Sequence, residues 1–259
     1  MRGPTERAAF VWGSAARREV LSELADDPRS RQTVVETADA SESAVYDAIN
    51  RLERRDYVFE RDDGRWAVTG TGQLFTDLLR HVETVESVVE TAPDYWAAHD
   101  LSVLPESPRR ELHSLRGCEP IRSPEADPFR AARYVQNAIR RAQDAAIVAP
   151  MYDDRFAEAL VESEDDSPRL LVTRELVEET DDATATRHDV DDVRIRICDA
   201  AYAMAVTETG VYLSLPRLDG SYDPRTQLVA ETTAAVEWGR SMFDQLWAAA
   251  TPLSEVAIA

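Results

Sequence analysis

The chain of 259 residues contains no lysine, only two cysteines, and no apolar run approaching the eighteen or so residues that a membrane span needs. Each absence excludes something. Without a long apolar run, nothing is expected to cross a bilayer. The opening MRGPTERAAF has neither an apolar signal core nor a cleavage site, so a cytoplasmic location is expected. Cys118 and Cys198 lie far apart, fit no metal-ligand spacing and belong to a reducing compartment, so they read as two ordinary thiols. No glycine-rich phosphate loop, Gly-x-Ser-x-Gly elbow or Cys-x-x-Cys pair occurs. No cofactor, metal or enzymatic activity is expected.

What is present is acid. The 49 Asp and Glu outnumber 29 Arg, and the net charge is -20. A dense carboxylate surface keeps a protein soluble where salt screens most repulsion. Complete loss of lysine together with this acidity resembles the proteins of haloarchaea, whose cytosol is very salty. The length favours more than one domain. Residues 1–70 carry 11 Arg and 14 acids, and the remaining 189 residues carry 18 Arg and 35 acids. The N-terminal part is thus less acidic than the rest, though not basic.

The N-terminal pattern is helix, helix, turn, helix, hairpin. Ser14 reads as an N-cap ahead of a helix whose Val20, Leu21 and Leu24 share one face, and Asp26-Asp27-Pro28 ends it. Ser30 starts a second helix. A third, ESAVYDAINRLERRD, is followed by the strands YVFER and RWAVT around Asp62-Asp63-Gly64, a strong hairpin signal. Thr69 to Gly72 break the pattern before a long helix at about 73–91. This is the order of a winged helix-turn-helix, and residues 30–72 resemble winged-helix regulators of archaea and bacteria. Asp56 stands where many such domains have glycine.

In the third helix, a buried face of Val45, Ala48, Ile49 and Leu52 leaves Ser43, Tyr46, Asp47, Asn50, Arg51 and Arg54 outward. Asn pairs bidentately with adenine and Arg with guanine in the major groove. Ser41, Ser43, Tyr46 and Asn50 are therefore the expected base readers. Arg51 shares their face, Arg54 and Arg55 suit phosphates, and Arg61 and Arg65 flank the tip of the wing. The long helix carries Leu74, Leu78, Val82, Val85 and Val89 at three- and four-residue steps, a stripe suited to dimer packing or to the chain's own core. A dimer would set two reading helices one DNA turn apart on a palindromic double-stranded site.

Beyond the proline-marked stretch 93–128, helical patterns alternate with the strands AAIVA, RLLVT and VRIRI. YAMAVT and VYLSL then form a hairpin, and an amphipathic helix, AAVEWGRSMFDQLWAAA, follows. The expected fold class is α+β: a winged helix-turn-helix (1–70), a linker or dimerisation helix (71–92), a connecting segment (93–128) and an α/β domain with a mixed sheet (129–259). Strand-end residues are the candidates for a small-molecule pocket. They are Pro150, Met151, Tyr152 and Asp153 after the first strand, Thr173 and Arg174 after the second and Asp199 after the third. Leu218, Asp219, Gly220, Tyr222 and Asp223 follow the hairpin. Arg174 would clamp an anion, with Tyr152, Asp199, Asp219, Tyr222 and Asp223 around it. LDGSYD reads equally as a turn in which Asp side chains cap backbone N–H groups.

The phrases YWAAHDLSVLP, AAIVAPMYDDRFAEAL, LLVTRELVEE, AVTETGVYLSLPRLDGSYDPRTQL and AAVEWGRSMFDQLW resemble the domain named after the methanogenesis (Fil operon) regulator. The resemblance extends over most of residues 5–250. It implies an effector-binding or dimerising domain coupled to a winged helix, similar to phospholipase-D-like sensor domains. Phospholipase-D chemistry needs a His-x-Lys pattern, and neither His81, His99, His113 nor His188 has such a partner. The resemblance thus implies a ligand-controlled DNA-binding regulator. A protein–protein adaptor and a DNA-targeted enzyme are the rival readings.

Overall fold

The computed structural model describes residues 4–151, 154–165, 168–179 and 193–255. The chain folds as two units, Met1–Thr84 and Val85–Ala259, whose boundary falls inside one long helix. No described helix is long and apolar enough to cross a membrane.

The first unit opens with a helix that the sequence pattern does not announce, α1 (Pro4–Trp12). Then come α2 (Ala15–Asp26), α3 (Arg31–Thr37), α4 (Glu42–Glu53) and a hairpin of β1 (Val58–Glu60) and β2 (Trp66–Val68). Local chemistry sets the boundaries. The Ser14 hydroxyl accepts from the Arg17 N–H at 3.4 Å, and Ser30 accepts from Thr33 at 3.1 Å. At the end of α4, Asp56 adopts φ 62°, the left-handed conformation that glycine takes without penalty. Arg29 and Trp66 exchange both backbone hydrogen bonds, so the α2–α3 connection adds a third strand-like rung to the wing.

The core of this unit joins Val20, Leu21 and Leu24 of α2, Val34 of α3, and Val45, Ala48, Ile49 and Leu52 of α4 to Tyr57 and Trp66. Tyr57 packs edge-on against Phe75, ring centroids 5.3 Å apart. Full burial of side chains such as Ile49 or Leu52 is worth about 1.5–3 kcal/mol each.

The expected break at Thr69–Gly72 is instead a helix start: α5 spans Gly70–Thr91. The Thr69 hydroxyl accepts from the Gly72 N–H at 3.1 Å and donates back to the Tyr57 carbonyl at 3.2 Å. Gly72 is there for space rather than flexibility, since a Cβ would stand 2.0 Å from the Tyr57 carbonyl oxygen.

The second unit holds an eight-stranded mixed sheet in the order β10-β6-β5-β4-β7-β8-β9-β3. Its strands are β3 (Glu119–Arg122), β4 (Ala146–Ala149), β5 (Arg169–Val172), β6 (Arg194–Ile197), β7 (Ala203–Val206), β8 (Val211–Ser214), β9 (Thr226–Ala230) and β10 (Thr251–Pro252). Strands β4, β5 and β6 are parallel, and every other pairing is antiparallel. Strands β3, β9 and β10 come in addition to the five expected ones. The proline-marked stretch supplies β3 together with two short helices, α6 (Pro93–Ala98) and α7 (Glu106–Arg110).

The central strands are apolar on both faces because both are covered. Val148, Met204, Val206, Val211 and Leu213 belong to one cluster with α11 (Thr233–Ala249), whose Trp238, Met242 and Phe243 are buried. Ile147, Ala205, Tyr212 and Val229 point the other way. They pack with α8 (Arg130–Arg140) and α9 (Asp154–Val161). Helix α10 (Arg174–Glu179) follows β5. Gly239 lets α11 lie on the β7–β8 hairpin, since a Cβ there would come within 2.6 Å of Val211.

Two substitutions test this account in opposite directions. Asp56→Gly relieves the left-handed residue and should raise stability in urea unfolding by about 0.5–1 kcal/mol. Gly72→Ala forces a carbonyl clash and should lower it by about 1–3 kcal/mol.

Candidate functional site

Helix α4 presents two faces. Val45, Ala48, Ile49 and Leu52 are buried, while Ser41, Ser43, Asp47, Arg51, Arg54 and Arg55 are exposed, and Tyr46 and Asn50 are half-buried. Ser41 and Ser43 touch through their hydroxyls at 3.3 Å. The Asn50 amide makes no hydrogen bond within the described residues. Arg51 pairs with Asp47 one turn back at 2.8 Å. At the hairpin tip, Arg65 binds Asp63 at 2.7 Å and Arg61 lies 4.0 Å from the same carboxylate. The Asp63 carboxyl is held below its ordinary range by its hydrogen bonds from the Arg65 side chain and backbone, more than by charge alone. Asp63 thus offsets one of the two wing charges, and nucleic acid would have to exchange with it to engage Arg65.

Three arginines crowd one edge of this surface. The guanidiniums of Arg17 and Arg55 both lie over the Phe10 ring, 4.4 and 3.9 Å from its centroid. Burial first, then the like charges of Arg51 and Arg55, lower the Arg17 proton affinity, and Asp47 opposes them. Arg55, expected at phosphate, is therefore also a packing residue. Neither Arg17, on α2, nor Phe10 was among the sequence candidates; α1, which carries Phe10, has no cap or breaker signal to announce it. Arg31, likewise missed, lies over the Trp66 ring at 4.5 Å and near the Tyr46 ring at 5.9 Å. It links α3, α4 and the wing through one planar cation.

In the second unit, the strand-end candidates separate. Tyr152 and Asp153 lie outside the described residues. Arg174, Asp199 and Asp219 are exposed. Asp219 accepts from the Ser221 N–H at 2.9 Å and hydroxyl at 2.6 Å, a turn-capping role. Asp223 is buried and binds His99 Nε2 at 3.1 Å, the Arg225 N–H at 3.0 Å and Arg217 at 3.3 Å. His99 in turn contacts the Tyr95 carbonyl through Nδ1 at 2.7 Å and stacks on the Tyr95 ring at 3.8 Å. Antiparallel bridging of His99 with Arg217 fastens YWAAHD to the LDGSYD loop. Burial alone would raise the Asp223 carboxyl. The Arg225 N–H, His99, Thr226 and the Arg217 charge outweigh it and hold the carboxyl below its usual range.

Tyr222, Pro150 and Met151 do line a common space, a cavity of ≈ 110 Å³ between α8, α9 and strands β4, β7, β8 and β9. Gln227, a residue not foreseen, lines it too. The described residues therefore form no Arg174-centred anion clamp. Of the thiols, Cys118 is buried and pushed up to about 11 by that burial, so it stays protonated at neutral pH.

Residues 5–91 match the HVO_A0261 N-terminal domain, and residues 128–249 match the middle domain of the methanogenesis regulatory protein FilR1. FilR1 of Methanothrix harundinacea (strain 6Ac) is 26% identical over 203 residues, 73% of this chain and 45% of that one. Residues 128–249 thus resemble the FilR1 middle domain and follow an HVO_A0261-type N-terminal domain. The chain spans less than half the length of the curated relative it matches. Among solved structures, TrmBL2, described as an archaeal chromatin protein with a novel mode of DNA binding, is similar over 92% of this chain and 93% of its own. Its identity is 13% and its TM-score 0.40. NucT from Helicobacter pylori is similar over 52% of this chain and 98% of its own, at 9% identity and a TM-score of 0.43. Both scores are too low to inform function.

Within the FilR1 middle-domain match, the WG…FDQLW motif is structural. Trp238 donates to the Pro108 carbonyl at 2.9 Å, Gly239 makes room for the sheet, and Phe243 stacks with Trp247. The LDGSYD motif centres on Asp223. Because its folded carboxyl is depressed, its stabilisation is fully present above the unfolded value near pH 4 and is lost as pH falls through the folded value. Asp223→Asn should lower stability at neutral pH and flatten the acid limb of the pH–stability curve measured by urea unfolding.

Proposed function

We propose that the protein is a sequence-specific DNA-binding transcriptional regulator of the cytoplasm. In this reading it is dimeric and controlled by a small molecule bound in its C-terminal unit. The observation that carries the reading is the outward face of α4. It offers Ser43, Asn50, Arg51 and Arg54 beside a hairpin wing, with the Asn50 amide free of any hydrogen bond among the described residues. Bidentate Asn and Arg contacts read adenine and guanine at about 1–3 kcal/mol each, and Arg54 with the wing arginines would position the backbone. Similarity to the FilR1 regulator over 73% of this chain supports the same reading.

Dimerisation is supported by α5. Leu74 is 71% exposed, Leu78 45% and Val89 44%, and helical spacing sets them on one stripe with Val82 and Val85. Such a stripe on a 22-residue helix is suited to a second copy of itself. Kinship of the C-terminal unit with phospholipase-D-like domains belongs to the proposal, with binding rather than catalysis as its role. The chain has no lysine for the chemistry, and both ring nitrogens of His99 are engaged by Tyr95 and Asp223.

Two measurements test the proposal. Genomic fragments selected on the protein in molar KCl should share one palindromic sequence, and affinity for it should hardly change or should rise between about 0.5 and 3 M KCl. At about 1 M salt the Debye length is about 3 Å, so close contacts rather than long-range attraction hold the complex. Steep loss of affinity with salt, or no selected sequence, contradicts it. Leu74→Glu with Leu78→Glu should yield a folded monomer by sedimentation with at least tenfold weaker binding to the full palindrome. An unchanged association state would remove α5 as the dimer seam.

A further inference from the structure

The cavity between α8 and the sheet deepens this reading by pointing to the class of effector. Its walls are apolar: Val135 and Ile139 of α8, Ile147 of β4, Met151, and Phe156 of α9. No charged side chain among the described residues lines it. Tyr212 contributes its ring, and its hydroxyl is occupied by Thr207 and Thr209.

Gln227 breaks the pattern. It sits on β9, the strand next to the sheet edge, is only 5% exposed, and lines the cavity. Its side chain has no hydrogen-bond partner among the described residues. A matching group on a ligand would give this amide a hydrogen-bond partner, worth about 0.5–1.5 kcal/mol net.

Size and chemistry then narrow the occupant. A dry apolar cavity of roughly 150 Å³ takes a benzene ring, and ≈ 110 Å³ is of that order. A sugar would leave most of its hydroxyls facing hydrocarbon, and a carboxylate or phosphate would be desolvated with no cation among the described lining residues to meet it. We infer that this cavity binds a small neutral compound, one six-membered ring in size, whose single hydroxyl, amide or keto group pairs with Gln227. In calling this compound the effector, the inference rests on the regulator reading above; the binding site itself does not.

Phenol is the probe. Titrated into the full-length protein in molar KCl and followed calorimetrically, it should bind saturably at one site per chain. Toluene should bind about tenfold more weakly, and glucose and benzoate not at all. That ratio corresponds to one net hydrogen bond. Gln227→Leu should abolish the preference for phenol over toluene while leaving the circular dichroism spectrum intact. Fluorine NMR of 4-fluorophenol displaced by the same compounds needs no variant, so the site stays testable if Gln227→Leu misfolds. Preferential binding of glucose or benzoate, or no saturable binding of phenol or 4-fluorophenol, overturns the site. Operator affinity with and without saturating phenol is measured separately. A change of severalfold is expected, whereas saturable binding without such a change keeps the site and overturns its role as the effector site.

Discussion

The burial of four side chains of one helix sets most of what the first unit presents to its surroundings. Val45, Ala48, Ile49 and Leu52 are sunk against α2, α3 and the wing, and at 3.6 residues per turn that fixes which residues of α4 face outward. Ser43 and Arg54 are exposed and Asn50 is half-buried, all outside the apolar cluster. The wing is held to the same core by the Arg29–Trp66 backbone pair and the Arg31 guanidinium over the Trp66 ring. The outward face of α4 and the wing are thus positioned by one apolar cluster.

Charge contributes in a different way. The first seventy residues are acidic on balance, so attraction of phosphate has to be local. The cluster of Arg17, Arg51 and Arg55 is such a local excess, sustained by the Phe10 ring beneath two of its members. Elsewhere arginines pair with the acid surplus, as Arg169 and Arg240 do around Asp144 and Asp244. Exposed pairs, such as Arg110 with Glu106, contribute about 0–1 kcal/mol and less in strong salt.

Elements with strong local signals were legible in the sequence. Caps at Ser14 and Ser30, the Asp-Gly hairpin and the period of α4 are all properties of neighbouring residues, and the structure places them where the pattern does. Asp56 stood out as a departure from glycine, and its φ of 62° explains why glycine suits that position. What was missed depends on partners distant in the chain. Strand β3 exists because it pairs with β9, more than a hundred residues away, in a stretch whose prolines argue against regular structure. Helix α5 starts at Gly70 rather than 73 because Tyr57 and Thr69 receive it. The strand-end rule led to Tyr222 and Met151 at the cavity. It gave no warning of Gln227, whose significance lies in being a buried amide at the cavity wall, a fact no spacing encodes.

The central claim is that α4 reads bases through its outward face, and Asn50 is its sharpest point. Interference by 7-deazaadenine substitution in a selected operator in molar KCl, comparing the wild type with Asn50→Ala, measures this directly, because it removes the N7 acceptor that Asn would contact. Interference at a specific adenine in each half-site should be present for the wild type and absent for the variant. Its overall affinity should fall by about 1–3 kcal/mol while the remaining contacts persist. Identical interference patterns for the two proteins would contradict the assignment of α4 as the reading helix.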